Sequence, residues 1–460
     1  MISRSNSHHM TDMSDGVIWR QLLCFSIPTA TGLLFQHLYN IVDAIIVGQF
    51  VSKEALAAVG STACISNMMI GLSSGLSTGA GVVAAQCYGQ QDIVNLRKTV
   101  HVTLIMTIYL GIAATLLGVL SVGPMLKIMK TPSDIYEEAY VYLTIYFTGF
   151  SALFLYNMGA GILRALGDSR RPLFYLVISS LLHILLDLLF VVVFHLGVAG
   201  VACATVLTHI LSAALILLPL SLDQAPYKIC LKEMKMDVPV AKRILNVGVP
   251  SGLQQALNSF STVYIQSAIN QFGSSCIAGW SIHSKLDALL LIPQEAISLG
   301  CSAFAGQNYG AGKNRRIRSG VRWAICLSAV TTCILVVLML LYSRPLVMLF
   351  NTEPEVVWYG TRIMSFIIPF YPVCCFNLMY ASALRGTGHA KASSAIILFS
   401  YVVFRQGYLF LAQLCGNHFT AVILVYPLGW AVSCLLHGIY YHRPGFLKED
   451  VPETKNRQAC

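Results

Sequence analysis

Two carboxylates and a histidine lie inside long apolar stretches of this 460-residue chain, where ionised groups are costly. Asp43 stands in the middle of NIVDAIIVGQF, and Asp187 follows His183 by four residues in SSLLHILLDLLF. Residues four apart share a helix face, so His183 and Asp187 can hydrogen-bond or titrate as a coupled pair. Such acids suit reversible binding of a proton or cation, and they also suit acid–base chemistry.

Further polar side chains accompany these acids at helical spacing. In LLFQHLYNIVDAI, Gln36, Asn40 and Asp43 fall at i, i+4 and i+7, which predicts a polar stripe on one helix face. Tyr39 lies one turn before Asp43. We expect Gln36 and Asn40 to line a substrate cavity together with a second set from the other half of the chain: Gln255, Asn258, Thr262, Asp287 and Glu295.

The elements that position these residues are transmembrane helices. The chain is 56% hydrophobic and only 11% charged, against roughly 25% charged in an ordinary soluble domain. The sequence predicts an all-α, polytopic membrane protein with twelve spans of about 20 residues or more. They are 17–47, 54–85, 96–122, 134–163, 172–195, 198–220, 243–271, 276–305, 320–342, 355–384, 392–412 and 417–441.

The distribution of basic residues predicts the topology. Of the 30 Lys and Arg residues, 23 lie in or beside the tails and the connections that follow even-numbered spans. By the positive-inside rule both termini are cytoplasmic, in a multi-pass protein of the plasma membrane. The net charge of +10 is therefore explained by basic residues in the cytoplasmic connections, and it does not predict nucleic-acid binding. No signal peptide is visible, and the 14 cysteines are expected to be core residues.

The two halves of the chain repeat each other at one fixed offset, which pairs Gln86 with Gln307 and Arg164 with Arg385. QCYGQQDIVNLRK at 86 matches QNYGAGKNRRIRS at 307, and GILRALGD at 161 matches SALRGTGH at 382. The offset covers six spans, so the halves are parallel repeats that form two six-helix bundles facing a central cleft. The predicted domains are a disordered cytoplasmic tail 1–16, an N-terminal lobe 17–221, a cytoplasmic linker 222–242, a C-terminal lobe 243–441 and a cytoplasmic tail 442–460.

Motifs for other energy sources and for common catalytic sites are missing from the sequence. GQNYGAGKN at 306 differs from a phosphate-binding loop in glycine spacing and in Asn314, which stands where Ser or Thr is required. We find neither G-x-S-x-G nor H-E-x-x-H, and no extramembrane catalytic domain. We therefore expect a transporter and not an enzyme, with no cofactor, driven by an ion gradient.

The chain resembles the multidrug and toxic compound extrusion (MATE) transporters over essentially its whole length. The resemblance is carried by the twin Q-x-Y-G and L-R-x-x-G motifs, by IP and VP at the starts of spans 1 and 7, and by VDAIIVG in span 1. It implies a cation-coupled antiporter that exports organic, often cationic, compounds by rocking its two lobes. In members with an acidic first-half cluster, the proton or sodium site corresponds here to Tyr39, Asp43, Tyr142, Asn157, Asp187 and Thr205, with His183 replacing the usual asparagine.

The histidine at this position bears on the coupling ion. An asparagine carbonyl is a hard oxygen ligand suited to sodium, whereas an imidazole is not. We expect proton coupling, with sodium at Asp43 and Asp187 as the alternative. A second-half acidic site known from other members is not expected, since span 7 has Asn258 there and span 10 has an acid only at Glu355.

Two rival functions remain open at this point. One is a flippase for lipid-linked saccharides from the same superfamily, and the other is an intramembrane enzyme that uses the carboxylates and histidine for acid–base chemistry. The expected partners are small organic substrates and the lipid bilayer, without nucleic acid or an obligate protein partner. Lys285, Arg362 and Arg405 also lie in apolar runs; they can snorkel or pair, and the sequence assigns them no role.

Overall fold

The computed structural model describes residues 11–222, 227–416 and 418–447, and these are helical with no β-strand. In a bilayer, a helix satisfies its own backbone hydrogen bonds, which explains this architecture. The spans, numbered α1 to α12 in chain order, are Ile18–Phe50, Lys53–Gly89, Ile93–Ile128, Tyr136–Thr148 with Phe150–Ala165, Arg170–Asp187 with Leu188–Val193, Gly197–Leu222, Val238–Asn270, Ser274–Gly310, Asn314–Leu341, Pro354–Ile367 with Ile368–Phe370 and Tyr371–Gly386, Ala390–Leu398 with Phe399–Phe404 and Arg405–Leu414, and Phe419–Ile423 with Val425–His442.

The number of spans agrees with the prediction. Ten helices in the described part of the chain are long and apolar enough to cross a membrane, and α4 makes an eleventh, although its two helices bend by 48°. The twelfth is α7, which has 33 residues and is roughly 50 Å long. It is more polar than the others because it carries the predicted stripe of amide and hydroxyl side chains.

Two of the spans contain a wider, π-helical turn. In α5 this turn, Leu188–Val193, directly follows Asp187, and in α11 the turn Phe399–Phe404 directly precedes Arg405. Turns of this kind often occur at functional sites. In both spans the π-helical turn therefore adjoins a charged residue.

The sequence repeat is visible in the helix boundaries. α2 and α8 begin and end at positions that the repeat pairs, and so do Phe150–Ala165 of α4 and Tyr371–Gly386 of α10. Gly167 and Gly388, at equivalent positions after these helices, both have a positive φ, +82° and +85°. A left-handed conformation favours glycine, so the L-R-x-x-G motif ends its helix in the same way in both halves.

Buried apolar side chains form two large clusters that follow the two halves of the chain. One is built mainly from α1–α6, the first lobe, and the other from α7–α12, the second lobe. The first residues of α1 and of α7 each pack against the opposite lobe. Leu22 and Phe25 of α1 join a third cluster with α8 and α9, while Val240 and Ile244 of α7 join the first-lobe cluster.

The two lobes meet where α2 and α8 end, through a pair of equivalent glutamines. Gln86 Nε2 donates to the carbonyl oxygen of Gly386 at 3.0 Å, and Gln307 Nε2 donates to that of Ala165 at 2.8 Å. Both hydrogen bonds cross between the lobes, and the repeat relates the two donors to each other and the two acceptors to each other. Because both glutamines are buried, each bond stabilises contact between the lobes.

Two glycines allow the backbones of α2 and α8 to touch at the same end. A Cβ atom at Gly89 would overlap the carbonyl oxygen of Gln307, and one at Gly310 would overlap that of Gln86. The four residues belong to the repeated Q-x-Y-G motif, which is therefore a close-packing motif between the lobes. We call this contact the closed end of the interface.

Residues 11–16 correct the prediction of a disordered tail over 1–16. Met13 is fully buried against the second lobe, and its backbone N–H donates to Gln307 Oε1 at 2.8 Å. Its carbonyl oxygen accepts from Asn308 Nδ2 at 3.0 Å. The polar composition of the segment concealed this, because a single methionine supplies the buried apolar surface and the other contacts use the backbone.

The same segment also contacts the first lobe, since the carbonyl oxygen of Thr11 lies against the bare Cα of Gly167. Residues of the predicted linker also pack against the first lobe. Tyr227 is buried in the first-lobe cluster, and the Cys230 N–H donates to His101 Nε2 at 3.1 Å. The remaining parts of the predicted tails and linker, residues 1–10, 223–226 and 448–460, lie outside the described residues.

Candidate functional site

α1 and α5 pack side by side and carry the predicted acidic residues. Asp43 lies in the second half of α1, and Asp187 ends the α-helical part of α5. The one-turn spacing of His183 and Asp187 places both side chains on the face of α5 that meets α1. The site is therefore formed by two helices that are well separated in the chain.

Asp43, His183 and Asp187 converge into one cluster, in which a nitrogen or oxygen atom of each lies within 4.8 Å of the others. His183 Nδ1 is 2.9 Å from Asp187 Oδ2, and these side chains are only 5% and 0% exposed. The Tyr39 ring packs on the imidazole with 5.3 Å between ring centroids. Asp43 is half-buried and is the least enclosed member of the cluster.

The hydrogen bonds of His183 indicate its protonation. Its Nε2 lies 3.2 Å from Thr205 Oγ1, and the Thr205 hydroxyl donates to the carbonyl oxygen of Val201 at 3.0 Å. With its one hydrogen used, Thr205 accepts from His183, so Nε2 carries a proton. Nδ1 then faces Asp187 Oδ2 at 2.9 Å, where two lone pairs would repel. We infer that a further proton resides on one of these two atoms.

The carboxylates have unused capacity for a proton or a cation. Oδ1 of Asp43 and both oxygens of Asp187 are buried and accept no hydrogen bond of normal geometry from a described residue. Hard cations prefer several oxygen ligands, but the third member of this cluster is an imidazole nitrogen. A proton requires only one of the free oxygens.

Tyr142 and Asn157, which the resemblance assigned to this cluster, lie on α4. Tyr142 is buried and stacks on Tyr146 with 6.1 Å between ring centroids. Asn157 Nδ2 donates to Ser73 Oγ at 3.1 Å, and the backbone carbonyl oxygen of Asn157 accepts from Ser77 Oγ at 2.6 Å. The described hydrogen bonds of Asn157 thus join α4 to α2 and do not reach the two acids.

The residues predicted to line a substrate cavity are dispersed over three helices and differ in exposure. In α1, Asn40 is exposed and Gln36 is half-buried. In α7, Gln255 and Thr262 are exposed, and the Thr262 hydroxyl donates to the carbonyl oxygen of Asn258 at 3.1 Å. In α8, Glu295 is exposed, whereas Asp287 is half-buried and its Oδ1 has no hydrogen-bond partner among the described residues.

Comparison with known proteins identifies the family. The sequence model of the MatE family matches two stretches, residues 28–189 and 250–407, which together cover most of the chain. The chain belongs to the MatE family of transporters. The two matched stretches correspond to the two halves of the repeat, so this MatE transporter is a multi-pass membrane protein built from two related units.

Individual relatives of this MatE transporter are distant in sequence but similar in length. The probable multidrug resistance protein YoeA of Bacillus subtilis is 26% identical over 92% of this chain and 93% of its own length. The probable multidrug resistance protein YpnP of the same organism is 28% identical over 86% and 88%. A solved multidrug resistance MATE transporter in an outward-facing conformation superposes with a TM-score of 0.88 at 23% identity, covering 94% and 97% of the two chains. That likeness confirms the fold.

Sequence reasoning missed three features of this MatE transporter. It did not assign Gln86 and Gln307 to the contact between the lobes, although their repetition at a fixed offset was the available signal. It placed Met13 in a disordered tail. It also left Arg405 without a role, whereas this side chain is only 3% exposed in the middle of a span.

Proposed function

We propose that this MatE transporter exports organic compounds, often cationic, across the plasma (inner) membrane in exchange for protons. The observation that carries the proposal is the convergence of Asp43, His183 and Asp187, in which the Oδ1 atoms of both acids are buried without a hydrogen-bond donor among the described residues. Ionised carboxylates inside a membrane are costly, so binding a proton or another cation lowers the cost of their charge, and such residues often mark ion pathways. The names of two relatives, both probable multidrug resistance proteins, support organic compounds as the cargo.

Protons are favoured over sodium by the arrangement around His183. Both imidazole nitrogens are engaged, by Asp187 and by Thr205, so the ring is held as a proton donor or acceptor and not as a ligand of a hard cation. The contact at 2.9 Å between Nδ1 and Oδ2 supports a proton that moves between the pair and Asp43. Sodium bound by Asp43 and Asp187 is the alternative.

The proposed cycle couples the charge of this cluster to the movement of the two lobes. Deprotonated acids supply counter-charge for a cationic cargo in the cleft, to which Asp287 and Glu295 also contribute. Protonation discharges the acids, the facing surfaces of α1 and α5 repack, and the cargo leaves. The excess of Lys and Arg in the tails and in the connections after even-numbered spans supports cytoplasmic termini. The closed end of the interface would then face the cytoplasm.

Purified protein in proteoliposomes tests the proposal with pH and sodium gradients imposed separately. We expect ethidium flux when only a pH gradient is present, and no flux when only a sodium gradient is present at equal pH. Asp43→Asn is the matched control, since it keeps the size of the side chain and removes its charge. Flux that follows sodium without a pH gradient would show that the coupling ion is wrong. Absence of flux with either gradient, together with translocation of a lipid-linked saccharide, would favour the flippase.

A further inference from the structure

Arg405 is a buried cation in the membrane-spanning part of the second lobe. Its side chain is only 3% exposed. The two other cations that occur within apolar runs, Lys285 and Arg362, are exposed and stack on aromatic rings at the surface, 5.7 Å from Phe350 and 5.2 Å from Phe366. Arg405 does not snorkel in this way. A charge held inside a membrane protein is a candidate functional group.

Two tyrosines hold the Arg405 guanidinium. Its Cζ lies 4.0 Å from the ring centroid of Tyr401 and 4.7 Å from that of Tyr426. A Cβ atom at Gly429 would overlap Arg405 Nε, so the glycine lets the side chain lie against the backbone of α12. These contacts fix the position of the positive charge and shield it from lipid.

The hydrogen-bond donors of Arg405 remain unused. Nε is buried and has no hydrogen-bond partner among the described residues, and neither terminal nitrogen donates to a described residue. None of the described carboxylates forms an ion pair with it. Stacking on aromatic rings offsets charge but satisfies none of the five N–H groups. The group that completes this site must therefore accept hydrogen bonds and, preferably, carry negative charge.

The surroundings of Arg405 are organised by a polar network. The Tyr401 hydroxyl accepts from Asn377 Nδ2 at 2.6 Å, and Asn377 Oδ1 accepts from Ser433 Oγ at 2.7 Å. The carbonyl oxygen of Tyr401 accepts from Ser261 Oγ. On the other side, Tyr426 lies near Thr262, which is exposed. The polar network thus holds Tyr401 in place, and the Tyr426 side of the site lies close to an exposed residue.

Arg405 lies at a similar depth in its span to Asp187 in the other lobe, although the repeat pairs Asp187 with Tyr408. Asp187 ends the segment of α5 that begins at Arg170, and Arg405 lies at a similar distance from the start of α11 at Ala390. Each adjoins the π-helical turn of its span. Four turns of helix correspond to roughly 22 Å along the axis, which places Arg405 within the hydrocarbon thickness of about 30 Å. This depth favours a ligand from the interior of the protein over a lipid headgroup.

We propose that Arg405, between Tyr401 and Tyr426, is a binding subsite for an oxyanion group, a carboxylate or phosphate, of an organic ligand that enters beside Thr262. The planar guanidinium presents paired N–H groups that match such an oxyanion. The first lobe then holds the acidic cluster, and the second lobe holds Arg405 in addition to Asp287 and Glu295. A molecule that carries a carboxylate or phosphate would be bound through the second lobe.

Direct binding tests this subsite without requiring transport. The protein is placed in nanodiscs of phosphatidylcholine, and sodium benzoate or inorganic phosphate is titrated at constant ionic strength. Binding is followed by the thermal midpoint and by fluorescence of Trp280 and Trp430, whose rings lie 5.4 Å and 6.2 Å from the Tyr426 ring. We expect a saturable response in the wild type, and apparent affinity reduced about tenfold or more in Arg405→Gln.

Two control variants and nanodiscs that contain anionic lipid define the outcomes of the binding test. Arg405→Lys keeps the charge but loses the paired donors, so its affinity should be intermediate, and it replaces Arg405→Gln if that variant does not fold. Arg362→Gln, which removes an exposed cation of the same lobe, should bind the oxyanions as the wild type does. The proposal is wrong if neither probe gives a saturable response in the wild type, or if Arg405→Gln binds equally well. It is also wrong if only anionic lipid gives an Arg405-dependent response, since the site then belongs to a headgroup.

A transport measurement extends the test and rests on the proposed function. Rhodamine B and its ethyl ester differ by one carboxylate, so their export by proteoliposomes isolates the contribution of an oxyanion. Arg405→Gln should reduce export of rhodamine B about tenfold relative to export of the ester. An equal loss for both dyes would contradict the subsite. If neither dye is exported by the wild type, the proposed function fails while the binding result stands by itself.

Discussion

Replacing Gln307 by alanine should weaken the closed end of the interface between the lobes. In the wild type, Gln307 Nε2 donates across the interface to the carbonyl oxygen of Ala165 at 2.8 Å, and Oε1 accepts from the Met13 N–H at 2.8 Å. The side chain is fully buried, so neither hydrogen bond is readily replaced by water. The bond to Ala165 crosses the interface and contributes about 1 kcal/mol, so its loss should shift the equilibrium toward separated lobes roughly fivefold. The bond to Met13, which packs on the second lobe, does not cross the interface.

The repeat supplies a matched control for this substitution. Gln86 occupies the equivalent position in α2 and donates to the carbonyl oxygen of Gly386 at 3.0 Å. Its second polar contact, from Arg243 Nη2, is long at 3.5 Å. Gln86→Ala also loses one effective hydrogen bond across the interface, worth about 1 kcal/mol, and should shift the same equilibrium by a similar, roughly fivefold factor.

Double electron–electron resonance measures both shifts. Spin labels at Val94→Cys and Arg315→Cys, in a background without the native cysteines, report the separation of the lobes next to the closed end; both positions are exposed and related by the repeat. We expect a longer-distance population that is larger in both variants than in the wild type and similar in the two. A population that stays at the wild-type level in either variant would refute the hydrogen-bond account.

The remaining predictions concern the acidic cluster and the close approach of the helices. Asp43→Asn and Asp187→Asn should each abolish gradient-driven dye export while the thermal midpoint stays the same or rises, because a neutral amide costs less to bury than a charge; full export by both variants would refute the coupling role. His183→Asn should flatten the pH dependence of export, because Asp187 loses the partner with which it shares a proton. An unchanged pH profile would contradict this role of His183. Any new response to sodium would be seen in the same assay. Gly89→Ala should destabilise the protein by roughly 1–3 kcal/mol in thermal unfolding, because the added Cβ would overlap the backbone of α8. Gly60→Ala in the same helix, where nothing lies within 4 Å of the added Cβ, should stabilise the protein by about 0.5 kcal/mol. Equal thermal midpoints in the two variants would argue against the close contact.

The sequence by itself determined the spans, the repeat and the acidic candidates. Span length and hydropathy are local properties that the bilayer imposes on each helix separately, so twelve spans are readable without any knowledge of packing. The one-turn spacing of His183 and Asp187 is equally local, and their contact at 2.9 Å follows from helix geometry alone. The repeat was readable because both halves retain the same helix-ending motifs.

Only the tertiary structure decided which of these residues meet. Asp43 joins His183 and Asp187 because α1 packs on α5, whereas Asn157 is turned toward α2. Helix packing depends on shape over a whole surface, and a single sequence does not reveal which faces are paired. A polar residue in a span is therefore a reliable candidate, but its partner is not predictable from spacing.

The contacts between the lobes were also beyond the sequence, for a related physical reason. The buried Met13 and the crossed hydrogen bonds of Gln86 and Gln307 involve backbone groups, which carry no signature of residue type. Arg405 was visible as a cation in an apolar run, but its enclosure by Tyr401 and Tyr426 depends on two helices and on the bare backbone of a glycine in α12. Hydropathy places a charge in the membrane; only packing decides whether it reaches the surface or is held inside.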